Sequence, residues 1–177
     1  MNEDLSLLEL AGEFLSGTLS DEVLGRFETR LLEDPAAKQA VDLWEGRMAA
    51  FLGRNANAAL HAARKGRSPS AGSAQGGPPP EKSPKAWSML APGVSGMALH
   101  YDHLVGSMVY IARLEPGARL PTAEQGSPED CLLVSGDFSL DEVTLRAGDD
   151  HHAPTSVIHS GGSSETGAVM LIRARDI

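Results

Sequence analysis

Residues 131–154 read CLLVSGDFSLDEVTLRAGDDHHAP, and their pattern decides the fold. Cys131 to Val134 is a short apolar run, and Ser135-Gly136-Asp137 after it is a turn cluster. Glu142 to Arg146 alternates with period two, as a half-buried strand does, and Ala147 to Asp150 is a second turn cluster. The same grammar continues outward. Met108 to Leu114 and Ala168 to Ile172 are apolar runs, with turn signals at Glu115-Pro116-Gly117 and from Ser160 to Ser164. Short strands at about 8–12-residue spacing, with no helical period among them, predict an all-β sandwich or barrel. The order Leu-x-Pro-Gly, Gly-Asp-Phe, Ala-Gly-Asp-Asp and then Pro154 to His159 reads as a small jelly roll over residues 86–177.

Upstream, the composition changes twice. Residues 61–85 are rich in Gly, Pro, Ser and Ala and hold no large apolar residue, so they cannot offset their ordering entropy and read as a flexible linker. Residues 1–60 have helical periodicity. Leu7, Leu10, Ala11 and Phe14 share a face, and Gly17 offers a stop. Ser20, followed by Asp21 and Glu22, is an N-cap with acids in the first turn, and Val23, Leu24, Phe27 and Leu31 line the helix it starts. Asp34-Pro35 begins a third helix striped by Val41, Trp44, Met48, Phe51 and Leu52. The expected fold is therefore α+β in two domains: a small N-terminal helical bundle over 1–60, a linker over 61–85, and an all-β domain over 86–177. Three helices of this size form a marginal core, so the bundle is expected to gain stability from a partner.

Charge sharpens this division. The chain has 177 residues and a net charge of −9. Residues 1–60 hold five basic and eleven acidic side chains (−6), 61–85 five and one (+4), and 86–177 five and twelve (−7). An acidic chain is poorly suited to phosphate backbones and well suited to a basic macromolecule. The single Cys excludes a disulfide framework and a Cys-rich zinc site. The acidic start, Met-Asn-Glu-Asp, is unlike a secretory signal, and no stretch has the roughly 18–20 apolar residues of a membrane span. The expected location is the cytoplasm.

Seven short pieces in order carry a resemblance to a known family. Leu114-Glu-Pro-Gly117, Leu120-Pro121, Pro128-Glu129-Asp130, Leu132-Leu133-Val134, Gly136-Asp137-Phe138, Ala147-Gly148-Asp149 and His151-His152-Ala153-Pro154 through His159 resemble a ChrR-type cupin. Leu10-Ala11, Gly17-Thr18-Leu19, Phe27-Glu28, Leu31, Asp34-Pro35-Ala36 and Trp44-Glu45 resemble the N-terminal domain of anti-sigma factors. The two together, in this order, resemble a ChrR-type anti-sigma factor. That implies a protein that sequesters an extracytoplasmic-function sigma factor through its helical domain, with the cupin as a sensory or stabilising part of a stress response. Under that resemblance Leu7, Leu10, Phe14, Phe27, Val41, Trp44, Met48 and Phe51 are candidates for bundle core or sigma contact. A homodimer through either domain stays open; direct nucleic-acid or membrane binding is not expected.

The resemblance also says where metal should sit. Zinc-binding members carry H-x-x-x-C-x-x-C between their second and third helices, where this chain has Arg30, Asp34 and Ala37. An Asp34-Pro35 helix start can hold that corner without metal. Cupins of this type bind an ion through H-x-H-x-x-x-E and a distant His, and the matching positions are Ala123, Gln125, Glu129 and His159. Gln125, Glu129 and His159 are thus the residual metal candidates, with Gln125 a weak neutral donor. His151 and His152 are adjacent on a strand, so at most one faces inward. The expectation is no bound metal, one divalent ion in the cupin being the alternative. His100 and His103 read as surface residues and Cys131 as a small buried hydrophobe. The linker cations lack the interleaved aromatics of a nucleic-acid site, and Gly161 to Ser164 lacks a following helix to cradle phosphate.

Two other functions fit these residues. One is a metal-dependent cupin enzyme, a dioxygenase or isomerase, with a helical dimerisation module. The other is a cupin that senses a small molecule in its barrel without metal. No nucleophile–base pair can be placed from the sequence, so a binding protein is favoured over an enzyme.

Overall fold

A computed structural model describes residues 5–65, 87–102, 106–121, 123–124, 127–155, 158–159 and 161–175, with 54–65, 102, 123–124 and 158–159 described by backbone alone. Local chemistry starts and stops the helices. Ser6 and Glu9 form a capping box: the Ser6 N–H donates to Glu9 Oε2 at 2.8 Å and the Glu9 N–H to Ser6 Oγ at 3.3 Å. Helix α1 (Leu7–Ser16) then runs to Gly17, whose left-handed backbone closes the turn onto Glu13 and Phe14 carbonyls. Ser20 caps α2 (Asp21–Glu33). Asp34 joins α2 to α3 (Pro35–Lys65). Its carboxylate accepts from Arg30 Nε at 2.8 Å and from the Ala36 N–H at 2.9 Å, which hold its pKa below the usual range. The corner at Arg30, Asp34 and Ala37 is thus fastened by a carboxylate. Helical backbone continues to Lys65 with a break at Gly53, while residues 66–85 of the expected linker lie outside the described residues.

Among the described residues ten strands follow: β1 (Ser88–Ala91), β2 (Val94–Asp102), β3 (Ser107–Leu114), β4 (Ala123–Glu124), β5 (Glu129–Leu140), β6 (Val143–Arg146), β7 (Asp150–Ala153), β8 (Ile158–His159), β9 (Gly162–Ser163) and β10 (Ala168–Arg175). One sheet has the order β1-β2-β3-β10-β5-β6, with β7 and β9 also paired to β5, and β4 pairs with β8. Every pairing is antiparallel. The α+β architecture, three helices followed by an antiparallel jelly roll, is as expected.

One expected turn is not a turn. Ser135-Gly136-Asp137 lies inside β5, where the register against β10 slips at Val134, between the Ser135–Val169 and Leu133–Met170 pairs, and Gly136 takes φ +79° two residues on. The strand bends there and continues. The reversal comes four residues later at Asp141-Glu142, with Asp141 at φ +51°. A second bulge, between Ala98 and His100 in β2, corrects another expectation. It brings His100 opposite Val109, where the imidazole is half-buried and its Nε2 is enclosed without a hydrogen-bond partner among the described residues.

Strand alternation gives the central sheet two apolar faces, and both are covered. Val109, Ile111, Leu132, Val134, Val169 and Leu171 face one way, into a cluster with Phe14, Leu15, Phe27, Trp44 and Met48 of the helices. Ala112, Leu114, Leu133, Met170 and Ile172 face the other way, into the barrel with Phe138 and Leu145. The helical bundle is therefore packed onto the outer face of the barrel and shares a core with it. Phe14 and Phe27 meet within the bundle at 5.2 Å between ring centroids, tilted 53°.

Polar contacts rim this joint. Ser135 Oγ donates to Glu13 Oε1 at 2.6 Å, the Gly136 N–H to Glu9 Oε1 at 3.0 Å, and Arg113 Nη2 to the Thr18 carbonyl at 2.7 Å. Arg173 Nη1 donates to the Phe51 carbonyl at 2.8 Å, and Arg47 Nη1 to the Gly148 carbonyl. Burial raises the pKa of Glu13, with Ser135 and Arg113 opposing it in part. Glu9 is also raised by burial, but the Ser6 and Gly136 hydrogen bonds outweigh that and leave it below its ordinary value. No described helix is long and apolar enough to cross a membrane.

Candidate functional site

Inward-facing side chains of the central strands line up in rows. Tyr110 on β3 pairs with Ile172 on β10, Ile172 with Cys131 on β5, and Cys131 with His151 on β7. One row along, Glu129 of β5 pairs with Ala174 and Ala153. The Tyr110 hydroxyl donates to Glu129 Oε1 across the diagonal at 3.4 Å. Of these, Tyr110, Glu129, Cys131, Ala153 and Ile172 border a cavity of about 360 Å³. The bend at Gly136 carries Phe138 and Leu140 onto its wall, and Leu90, Leu120 and Met170 contribute more of it.

The phenol and the thiol of this interior stay protonated. Burial raises the Tyr110 phenol far above its usual range, with the Glu129 charge adding to the effect. Burial likewise pushes the Cys131 thiol up to about 11, although a backbone hydrogen bond from His151 opposes it. Neither is a nucleophile at neutral pH, since the thiolate is the reactive form of cysteine. Cys131 lies, as its sequence context suggests, among apolar neighbours.

On the outer face of the same strand, Asp130 accepts from Arg173 Nη2 at 2.7 Å and Nε at 3.1 Å, and pairs with His152 Nδ1 at 2.7 Å. Desolvation raises its pKa, but these bonds outweigh it and leave the carboxyl below the ordinary value. His151 and His152 therefore diverge, one beside Cys131 and the other on Asp130, as strand alternation requires.

A family model for the ChrR cupin-like domain matches residues 81–177, more than half of the chain. The chain belongs to the ChrR cupin-like family. Among solved structures, an RmlC-like cupin from Shewanella frigidimarina is 22% identical with a TM-score of 0.46, covering 51% of this chain and 82% of its own. KdgF from Halomonas sp. is 18% identical, with a TM-score of 0.45 and coverage of 52% and 87%. An acetylacetone dioxygenase from Acinetobacter johnsonii is 12% identical, with a TM-score of 0.47 and coverage of 59% and 80%. No curated protein matches the chain.

The metal positions that the ChrR-like resemblance implies separate as follows. Ala123 of β4 and His159 of β8 are direct register partners, so the two positions share a face of that ribbon. Glu129 faces the cavity, and Gln125 lies outside the described residues, as does the side chain of His159. Among the described residues, no three His, Cys, Asp or Glu side chains gather as a metal-holding group. Ala123 brings no donor and Gln125 at best a neutral oxygen, so this donor set does not fit a transition ion. The register supplies a test. Ala123→His combined with Gln125→His is expected to tighten Zn²⁺ binding at least about 100-fold over the wild type, read by calorimetry. Unchanged affinity would mean that these positions do not converge with Glu129 and His159.

The structure also divides the candidate partner residues. Phe14, Phe27, Trp44 and Met48 are buried, whereas Leu7, Leu10, Val41 and Phe51 are only partly so. More exposed instead are Leu32 (79% exposed) on α2, one turn after exposed Glu28, and Leu43 (50%) on α3, one turn before exposed Arg47. Sequence reading missed Tyr110. Its signal is its parity with Ala112 and Leu114, which places it on the inner face of β3.

Proposed function

We propose that this protein is an anti-sigma factor that binds an extracytoplasmic-function sigma factor through its helical bundle, its ChrR-like cupin domain serving as the sensory or stabilising part. The observation that carries this reading is the bundle itself: a net acidic three-helix body seated on a ChrR-like cupin, with apolar side chains left exposed on α2 and α3. Buried Phe14, Trp44 and Met48 are already committed to the sheet, so the partner surface assigned here is the outer side of α2 and α3 around Leu32 and Leu43. Exposed apolar anchors on a net acidic bundle suit a basic protein, the charge speeding encounter and the burial giving affinity. A cytoplasmic location and the absence of direct nucleic-acid contact belong to the same proposal.

The test uses the full chain, because the bundle's inner face is built against the sheet. Co-expression with an extracytoplasmic-function sigma factor from the same source is expected to yield a one-to-one complex. Leu32→Glu combined with Leu43→Glu should weaken it at least about tenfold while leaving the unfolding midpoint nearly unchanged, since both side chains are exposed. Failure to bind any such sigma factor overturns the proposal.

A further inference from the structure

We propose that the outer edge of β1 is where two copies of this chain pair, β1 against β1, antiparallel about a two-fold axis. The two barrels would then share one continuous sheet. This concerns the cupin domain alone and does not rest on the sigma-factor reading.

Position is the first argument. The main sheet runs β1-β2-β3-β10-β5-β6, so among the described residues β1 and β6 are its two ends. An end strand presents unpaired N–H and C=O groups to another chain, and exposed charge is one device that discourages such pairing. β6 has that device: it follows Asp141 and Glu142 and finishes at Arg146, all three exposed. β1 lacks it. Residues 86–101, AWSMLAPGVSGMALHY, hold no Asp, Glu, Lys or Arg.

The side chains on β1 are the second argument. Trp87 and Met89 share the outer face of the sheet. The Arg113 guanidinium lies 4.8 Å from the Trp87 ring centroid, and Met89 pairs with Ser95, which pairs with Arg113. A bulge follows Met89, and Leu90 leans over Gly96, where a Cβ would stand 2.7 Å from Leu90 Cδ1. Even so, Met89 stays 82% exposed, Leu90 56% and Trp87 37%. Burying a Met or Leu side chain is worth about 1.5–3 kcal/mol, so this edge gains from being covered.

Charge selects the occupant. Each copy carries −9, so two copies repel over most of their surface. At the uncharged edge that repulsion is weakest. The charged groups beside the β1–β2 hairpin include Arg113 at Trp87 and Glu115 at Gly93, one of each sign. A basic partner finds no acid on β1, whereas a second copy brings the same backbone groups and the same apolar side chains. Identical strands pair antiparallel about a two-fold axis, which closes the assembly at a dimer.

Sedimentation of the full-length protein, without any partner, tests this. It is expected to dimerise with Kd below about 50 µM in about 0.15 M salt, and more tightly as added salt screens the −9 of each copy. Met89→Glu and Met89→Lys each set like charges against one another across the axis. Both should weaken the dimer at least about tenfold, although the Lys variant lowers the overall repulsion. Both should melt within about 2 °C of the wild type, since this side chain is exposed. Val143→Glu on β6 should leave the dimer intact. The proposal falls if the protein is monomeric at about 100 µM. It falls equally if either Met89 variant dimerises as well as the wild type, or if Val143→Glu weakens the dimer as much. Loss of the dimer in Leu32→Glu combined with Leu43→Glu, with the Met89 variants unaffected, would place the contact on the bundle and overturn it too.

Discussion

Trp44→Ala is expected to destabilise the whole molecule by about 3–5 kcal/mol, the range for truncating a fully buried aromatic side chain. Trp44 is 0% exposed, and its Nε1 donates to the Leu8 carbonyl at 2.7 Å. Its ring also lies where α1 comes closest to the barrel. A Cβ built on Gly12 would stand 2.9 Å from both Trp44 Cε2 and Val134 Cγ1, so Gly12 is wedged between the α3 indole and a β5 side chain. Removing the indole thus opens the bundle and its contact with the sheet together. In a chain of this length the loss corresponds to a Tm drop of roughly 10 °C. Because helices and sheet share the core, far-UV circular dichroism and the fluorescence of the remaining Trp87 should shift together in urea. A helical transition that moves while the Trp87 signal stays in place would show the bundle to be an independent module. Trp44→Phe should recover most of the loss, leaving about 1 kcal/mol for the missing hydrogen bond.

That joint also explains which parts of the structure are legible in the sequence. Helix ends are local: Gly17, Ser20 and Asp34-Pro35 act through atoms within a few residues, and each stands where its chemistry predicts. The jelly roll is legible because turn clusters and apolar runs alternate, and the family motifs follow that order. The packing of bundle on barrel depends on contacts such as Glu13 with Ser135 that no local rule reaches. A signal for it does exist. Cys131 to Val134 and Ala168 to Ile172 are continuous apolar runs rather than alternating ones, the mark of strands buried on both faces, and a second covering layer follows from it. The site divides in the same way. Glu129 is legible from its motif, whereas Tyr110 reaches it only through the register of β3, β10 and β5.

Gly136→Ala is expected to cost about 4 kcal/mol or more, because a single methyl group collides with backbone that has nowhere to move. A Cβ at this position would lie 1.8 Å from the Gly167 carbonyl oxygen, and the backbone sits at φ +79°, where L side chains are strained. The loop facing it is pinned from behind. Asp137 accepts the Glu165 N–H at 2.9 Å and the Thr166 N–H at 2.8 Å, so the chain entering β10 cannot swing aside. The damage reaches both faces of β5. The bend at Gly136 aims its N–H at Glu9 of α1, 3.0 Å away, and carries Phe138 and Leu140 across the cavity. Straightening the strand would therefore loosen the bundle and reshape the barrel at once. Gly136→Ala should accordingly lower Tm by roughly 10 °C or more and weaken the sigma-factor complex, read by thermal melting and calorimetry. A variant that melts within about 2 °C of the wild type would show that the strand tolerates a side chain here. Gly136 would then be a replaceable turn residue rather than the bend on which both surfaces depend.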